Sequence, residues 1–274
     1  MEIGIYYSQQ MSKSECAASC AADDNCFAAT FEVNNQNCKM HNTISNRTDS
    51  SSTMLLLNIH ASVLKFDCGA IDMTKYNTGV NTIFAGECKG FQVYCDLMTD
   101  GGGWTVIHRR QSGEVSFDRT WQEYEDGFGN VQGEFWLGNK FVNLLTSRDK
   151  YELRVDLDDF ENQHRYAKYS SFRVAGPNDK YRLTIAGFIG DAGDSFRFSN
   201  GNPFSTKDRD NDVWAGNCGS RWGAWWHAAC SECNLNGVYY KNGSHTNVTG
   251  AVIWKGFHTF YSLKKAVMMI RRKA

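Results

Sequence analysis

The chain has 274 residues and a formal net charge of −1, with 22% charged and 14% aromatic residues. That balance excludes nucleic acid as the main partner, which needs a strongly basic face. The closing run Arg271-Arg272-Lys273 reads as a solvated tail. Abundant glycine, scarce proline and many aromatic anchors fit a turn-rich packed fold rather than a disordered one, and the length suits one large domain or a medium one plus a small one.

The chain carries 10 cysteines. Their spacing matches neither CxxC…CxxC nor Cys₂His₂, which excludes a zinc framework. The one CxxC is Cys230-Ser231-Glu232-Cys233. Asn46, Asn242 and Asn247 each open an N-x-S/T sequon. Cysteines and sequons together predict a secreted, disulfide-bonded glycoprotein. No apolar stretch approaches the ~20 residues that span a bilayer, and no signal peptide is visible, so the sequence reads as a mature form with an added Met1 or as a fragment.

In chain order, Ser12 and Glu15 form a capping box, which places Cys16 and Cys20 on one face of a short helix. Phe27 to Val33, Cys38 to Met40 and Met54 to Leu57 read as strands, and the polar run Asn42 to Thr53 as a loop. A domain boundary falls near Val63 to Asp67, giving modules at 1–63 and 64–274. A unit as small as the first needs disulfides, since burial alone cannot hold it. Beyond it, strands are predicted at Phe91 to Asp96, Trp104 to Ile107, Tyr151 to Leu157, Phe172 to Val174, Tyr181 to Ile185 and Val267 to Arg271. Helices are predicted at Trp121 to Tyr124 and Asn139 to Thr146. Gly101 to Gly103 lacks the GK[ST] ending of a phosphate loop and opens a strand, so it is a tight turn. The fold class is α+β with a mainly antiparallel sheet.

The segment Phe204 to Asp212 alternates three carboxylates, Asp208, Asp210 and Asp212. Such a loop converges on one point only around a positive charge, and a hard, oxygen-seeking Ca²⁺ fits. It is not a helix–loop–helix calcium site, because the sixth and twelfth positions from Asp208 are Val213 and Gly219 instead of Gly and Glu. Enzyme chemistry has little support: there is no G-x-S-x-G elbow and no HExxH. Asp156 and Asp158 share a strand face, which an exposed acidic edge explains, and no pair of carboxylates is set for glycoside hydrolysis.

Two family resemblances emerge from these residues. The spacing of Cys16, Cys20, Cys26 and Cys38 resembles the PAN/apple module, which implies the pairs Cys16–Cys38 and Cys20–Cys26. Tyr94 to Ile107, Gly133 to Asn139, the Asp208 to Asp212 loop, Gly223-Ala224-Trp225-Trp226, Asn234-Leu235-Asn236-Gly237 and Tyr261 to Lys264 resemble the fibrinogen C-terminal domain of ficolins, tachylectins and angiopoietins. That resemblance implies disulfides Cys68–Cys95 and Cys218–Cys230. It also implies a Ca²⁺ site built from the Asp210 and Asp212 side chains with the carbonyls of Trp214 and Gly216, Asp208 standing behind them. Cys88 and Cys233 are left over; they pair with each other or bridge chains.

Acetyl-binding members of the family use an aromatic cage and a cis peptide after the cysteine equivalent to Cys230. Here the pocket positions are Arg221, Trp222, Ser231, His245, Val248 and Thr249, so two aromatic walls are missing. Arg221 offers a planar donor set suited to anions, unless it pairs with a local acid such as Glu232. The resemblance thus implies a secreted recognition protein, lectin-like, that binds acetylated or acidic glycans in innate defence or self/non-self recognition. The alternative is an adhesive or structural extracellular protein that binds protein partners or its own copies. Partners are glycans or extracellular glycoproteins, and weak single sites predict a homo-oligomer.

Overall fold

The computed structural model describes residues 5–10, 28–32, 37–41, 54–56, 65–85, 90–241, 243, 250–259 and 261–273. The chain divides into two units: Met1–Phe66 with Thr82–Gln92, and Asp67–Asn81 with Val93–Ala274. The helix predicted around Cys16 and Cys20, the pairings Cys16–Cys38 and Cys20–Cys26, and all three sequon asparagines lie outside the residues or side chains described.

The first unit holds a four-stranded antiparallel sheet of β1 (Ile5–Gln10), β2 (Ala28–Glu32), β3 (Asn37–His41) and β4 (Met54–Leu56), in the order β1-β3-β2-β4. Three of these strands coincide with the predicted ones. The first was not anticipated, because Ile5-Tyr6-Tyr7-Ser8-Gln9-Gln10 does not alternate.

Two strands, β5 (Gly79–Ile83) and β6 (Phe91–Asp96), run in sequence from one unit to the other. The second unit continues through β7 (Trp104–Arg110), α1 (Trp121–Asp126), β8 (Phe128–Gly129), β9 (Phe135–Trp136) and α2 (Asn139–Thr146). It then forms β10 (Tyr151–Asp158), β11 (His164–Val174), β12 (Leu183–Gly190), α3 (Cys218–Trp222), β13 (Cys233–Asn234), β14 (Ile253–Trp254) and β15 (Lys265–Arg272). Its main sheet runs β12-β11-β10-β15-β7-β6, antiparallel throughout.

Alternation explains the core. Tyr151, Leu153, Val155 and Leu157 of β10 are buried and alternate with half-buried charges. Register sets Leu153 opposite Ile270 and Val155 opposite Met268 on that face. On the other face Glu152 pairs with Arg271 at 2.7 Å, Asp156 with Arg154 at 2.9 Å and Asp158 with His164 at 2.7 Å. Two expectations are corrected here. Asp156 and Asp158 lie on an interior strand with basic partners, not on an acidic edge. Arg271 and Arg272 belong to β15 and pair with Glu152, Asp67 and Asp149, so they are not a free tail.

Local signals account for several boundaries. Thr120 caps α1 in a capping box with Glu123, whose Oε2 accepts from the Thr120 backbone N–H at 2.8 Å. The glycine-rich turn is a turn: Gly102 has φ 75°, and a Cβ there would stand 2.3 Å from the Leu97 carbonyl oxygen. The strand expected from Tyr181 begins at Leu183 instead. Lys180 and Tyr181 both take left-handed φ values, 52° and 54°, which ordinary side chains resist and sequence does not announce.

A wholly buried ion pair braces the region that leads to the site. Glu134 accepts backbone N–H bonds from Gln111, Ser112, Gly113 and Val115 at 2.8–3.0 Å, and its Oε1 lies 3.5 Å from Arg110 Nε. Burial alone would raise its carboxyl, but those four donors hold it down at about 2, below the ordinary 4.5. The substitution Glu134→Gln turns one acceptor into a donor facing N–H groups and leaves Arg110 uncompensated. It is expected to cost about 3–5 kcal/mol in urea unfolding. Because the folded value lies below the unfolded one, the carboxylate stabilises fully above about pH 4.5 and its contribution is lost as pH falls through about 2. The thermal midpoint of Glu134→Gln should fall less steeply over that window than that of the wild type.

Candidate functional site

The acidic loop rests on an aromatic floor. Phe204, at its start, stacks on Trp136 at 5.9 Å and meets Trp226 edge-on at 5.1 Å. Trp226 donates its indole N–H to the Tyr181 carbonyl at 2.7 Å, so each large ring has a geometric reason for its place. Above this floor the chain makes a tight turn, Thr206 and Arg209 exchanging backbone bonds at 2.9 and 3.2 Å. Asn211 fixes the exit, its side chain donating to the Phe204 carbonyl at 2.8 Å.

The three aspartates play different parts. Asp208 Oδ1 accepts from the Trp121 backbone N–H and from the Thr206 hydroxyl, both at 2.8 Å, so it ties the loop to the start of α1. Asp210 is exposed and accepts from the Asp212 N–H at 3.2 Å. Asp212 is half-buried and accepts from the Trp214 N–H at 2.9 Å and the Cys218 N–H at 2.8 Å. Burial and the neighbouring Asp210 carboxylate push the Asp212 carboxyl above its ordinary value, despite the two donors.

This donor set suits a hard dication. Two carboxylates crowd each other without a cationic side chain between them, and the Trp214 and Gly216 carbonyls accept no hydrogen bond from the described residues. Among the described residues no group of three or more His, Cys, Asp or Glu side chains converges on one point, so a bound ion would depend on those carbonyls and water for the rest of its shell.

The disulfides Cys68–Cys95 and Cys218–Cys230 are formed, each with Cα atoms 5.5 Å apart. The expected partnership of Cys233 is corrected. Cys233 is a free thiol with no exposed surface, buried in β13, and Cys88 lies outside the described residues. Burial drives this thiol far above its ordinary value and leaves it no exposed surface from which to bridge to a second chain.

Of the expected pocket residues, Arg221 and Trp222 come together. They lie on α3, which Asn217 caps by accepting from the Ser220 N–H at 2.8 Å. Both line a cavity of about 570 Å³ between α3, the segment from Arg110 to Asp118, and the turn at Asn236 to Tyr239. Gly237 is required where that turn passes the chain, since a Cβ would stand 2.2 Å from the Ala251 carbonyl oxygen. Ser231 does not reach this cavity. Its hydroxyl lies 3.1 Å from His227 Nδ1, while His227 Nε2 lies 2.8 Å from the Gly223 carbonyl. The carbonyl must accept, so Nε2 carries the proton and Nδ1 accepts from Ser231. Burial lowers His227 to about 4 and keeps it neutral. His245, Val248 and Thr249 lie outside the described residues.

Neither the cis peptide of the acetyl-binding relatives nor the alternative pairing of Arg221 with Glu232 is found among the described residues. The described peptide bonds are all trans, including the one after Cys230. Arg221 does not pair with Glu232, which binds Lys255 at 3.0 Å. Its guanidinium instead lies over the Trp214 ring at 5.6 Å. Sequence reasoning missed His227, Arg110 and Glu134. For Glu134 the available signal was its place in the Gly133 to Asn139 block.

The chain belongs to the family of the C-terminal globular domain of fibrinogen beta and gamma chains, whose model matches residues 65–273. The PAN domain model matches residues 5–65. Among curated proteins it is 48% identical over 194 residues to Ryncolin-4 of Cerberus rynchops, covering 69% of this chain and 55% of that protein. It thus spans about half the length of that relative. Among solved structures it resembles the fibrinogen-like globe domain of human ANGPTL6, with TM-score 0.73 and 41% identity over 77% of this chain and 96% of that one. The lamprey fibrin D-dimer, complexed with the peptide Gly-His-Arg-Pro-amide, aligns with TM-score 0.70 and 36% identity over 76% of this chain and 73% of that one. The fold is a known non-catalytic recognition fold.

Two outcomes follow from the geometry. Asp212→Ala orphans the Trp214 and Cys218 N–H groups and should lose about 1–3 kcal/mol in urea unfolding, against under about 1 for Asp210→Ala. Cys233 should resist iodoacetamide in the folded protein and be alkylated only after denaturation, read by peptide mass spectrometry.

Proposed function

We propose that the chain is an extracellular, non-catalytic adhesion or recognition protein that engages protein partners at the cavity beside α3, with Ca²⁺ ordering the neighbouring acidic loop. The observation that carries this reading is the state of the pocket. Arg221 stands where the acetyl-binding relatives have an aromatic wall, and the Ser231 hydroxyl is already committed to His227. What remains open is a polar cavity lined by bare backbone at Gly113, Gly219, Gly223, Gly237 and Gly250, which suits an extended peptide more than a methyl group. The peptide carried by the lamprey fibrin relative supports the same direction.

In this reading Asp210 and Asp212 hold the ion with the carbonyls of Trp214 and Gly216. The ion supplies charge neutralisation, and Asp212, which already grips Cys218, transmits that order to the start of α3. Self-association through repeated weak contacts would raise avidity. A glycan-binding reading, with acidic sugars in innate defence, has one observation in its favour: Arg221 has no carboxylate partner among the described residues.

Removing calcium with a chelator should lower the thermal midpoint of the wild type and leave Asp212→Asn unchanged. Equal midpoints with and without chelator in the wild type would remove the ion from the account. Binding is to be measured against an extracellular-protein microarray and a glycan array side by side. Protein binding that Gly250→Val abolishes, with the fold intact by circular dichroism, supports the reading, since a Cβ at Gly250 lines the cavity and meets nothing closer than the Arg221 carbonyl oxygen at 3.6 Å; binding to glycans alone overturns it.

A further inference from the structure

Charge compensation around the cavity beside α3 is uneven. Arg110 lines its inner end, but Glu134 neutralises it, and its Nη1 donates to the Gly237 carbonyl at 2.7 Å. Asp118 lines the opposite wall, but Lys207 neutralises it at 3.1 Å. Arg221 is exposed and has only the Trp214 ring for company. The next residue, Trp222, has its indole Nε1 buried with no acceptor. A buried N–H without a partner costs about 1–3 kcal/mol, and the neighbouring guanidinium of Arg221, open to solvent, has no acid beside it.

We infer that this cavity takes a carboxylate from an acidic protein segment, with Arg221 and the Trp222 indole N–H as its donors. The inference rests on the protein-binding reading above and names the chemistry of the same site. A carboxylate has two oxygens and about four lone-pair sites, enough to accept from a guanidinium and an indole together. Apolar contacts are available beside them, since Phe117 and Val115 line the cavity and Val238 is 57% exposed at its border. The segment that fits therefore carries one Asp or Glu next to an apolar side chain. A sulfated or uronate polymer fits poorly. Arg221 is the one uncompensated cation among the described lining residues, and the exposed Glu114 of the same lining repels a run of negative charge.

The test pans a displayed library of random heptapeptides against the full chain, beside an array of sulfated and uronate oligosaccharides. It compares wild type with Arg221→Gln and Trp222→Phe. Arg221 is exposed, so Arg221→Gln should keep the wild-type thermal midpoint, and Trp222→Phe removes the indole N–H while keeping an aromatic ring. The expected result is a peptide consensus with one fixed Asp or Glu. Its affinity should fall about tenfold to a hundredfold in Arg221→Gln, as loss of a charge-assisted hydrogen bond predicts, and severalfold in Trp222→Phe. Replacing the consensus acid by its amide should reproduce the Arg221→Gln loss. A consensus without a fixed acid, or one that both variants bind unchanged, overturns the carboxylate while leaving the protein-binding reading intact. No peptide enrichment together with Arg221-dependent oligosaccharide binding overturns both.

Discussion

The four backbone N–H groups gathered by Glu134 are the constraint on which the site depends. They fold the segment after β7 into a turn, and the same carboxylate compensates Arg110, which reaches across to the carbonyls of Leu235 and Gly237. One buried pair thereby fixes two walls of the cavity from the inside. A buried ion pair is weak evidence for net stability. Its worth here is geometric, because the segments it joins carry few apolar anchors of their own.

The opposite wall is fixed by other means. Asp212 grips the backbone at both Trp214 and Cys218, the Cys218–Cys230 bridge closes the segment, and Asn217 caps α3. These are short-range devices within one stretch of chain. The cavity lies between a wall held by a long-range ion pair and a wall held by local caps and a covalent bond, so the exposed Arg221 can change without disturbing the supports.

The sequence was most legible where one residue type does one local job. The alternation of Tyr151 to Leu157 marks β10, the boundaries of α2 follow from Asn139 to Thr146, and the Asp-rich loop stands out by composition alone. What the sequence could not convey was partnership. Asp156 and Asp158 look like an exposed edge until register places β10 between β11 and β15 and sets His164 of β11 opposite Asp158. Arg271 and Arg272 look like a tail until Glu152 and Asp67 meet them across strands. Ser231 looked free because His227 was not suspected of holding it. In each case the missing fact is a contact between residues near in space, and local pattern is silent about such contacts.

The solitary thiol of Cys233 bears on how the molecule must be made. In the finished fold it is sealed beneath the pairing of Cys233 with Trp254, with the Cys218–Cys230 bridge only three residues away along the chain. Before that strand pair docks, the same sulfur is an accessible nucleophile beside a disulfide it can attack. Closing β13 onto β14 thus removes the nucleophile that could exchange with the neighbouring bridge.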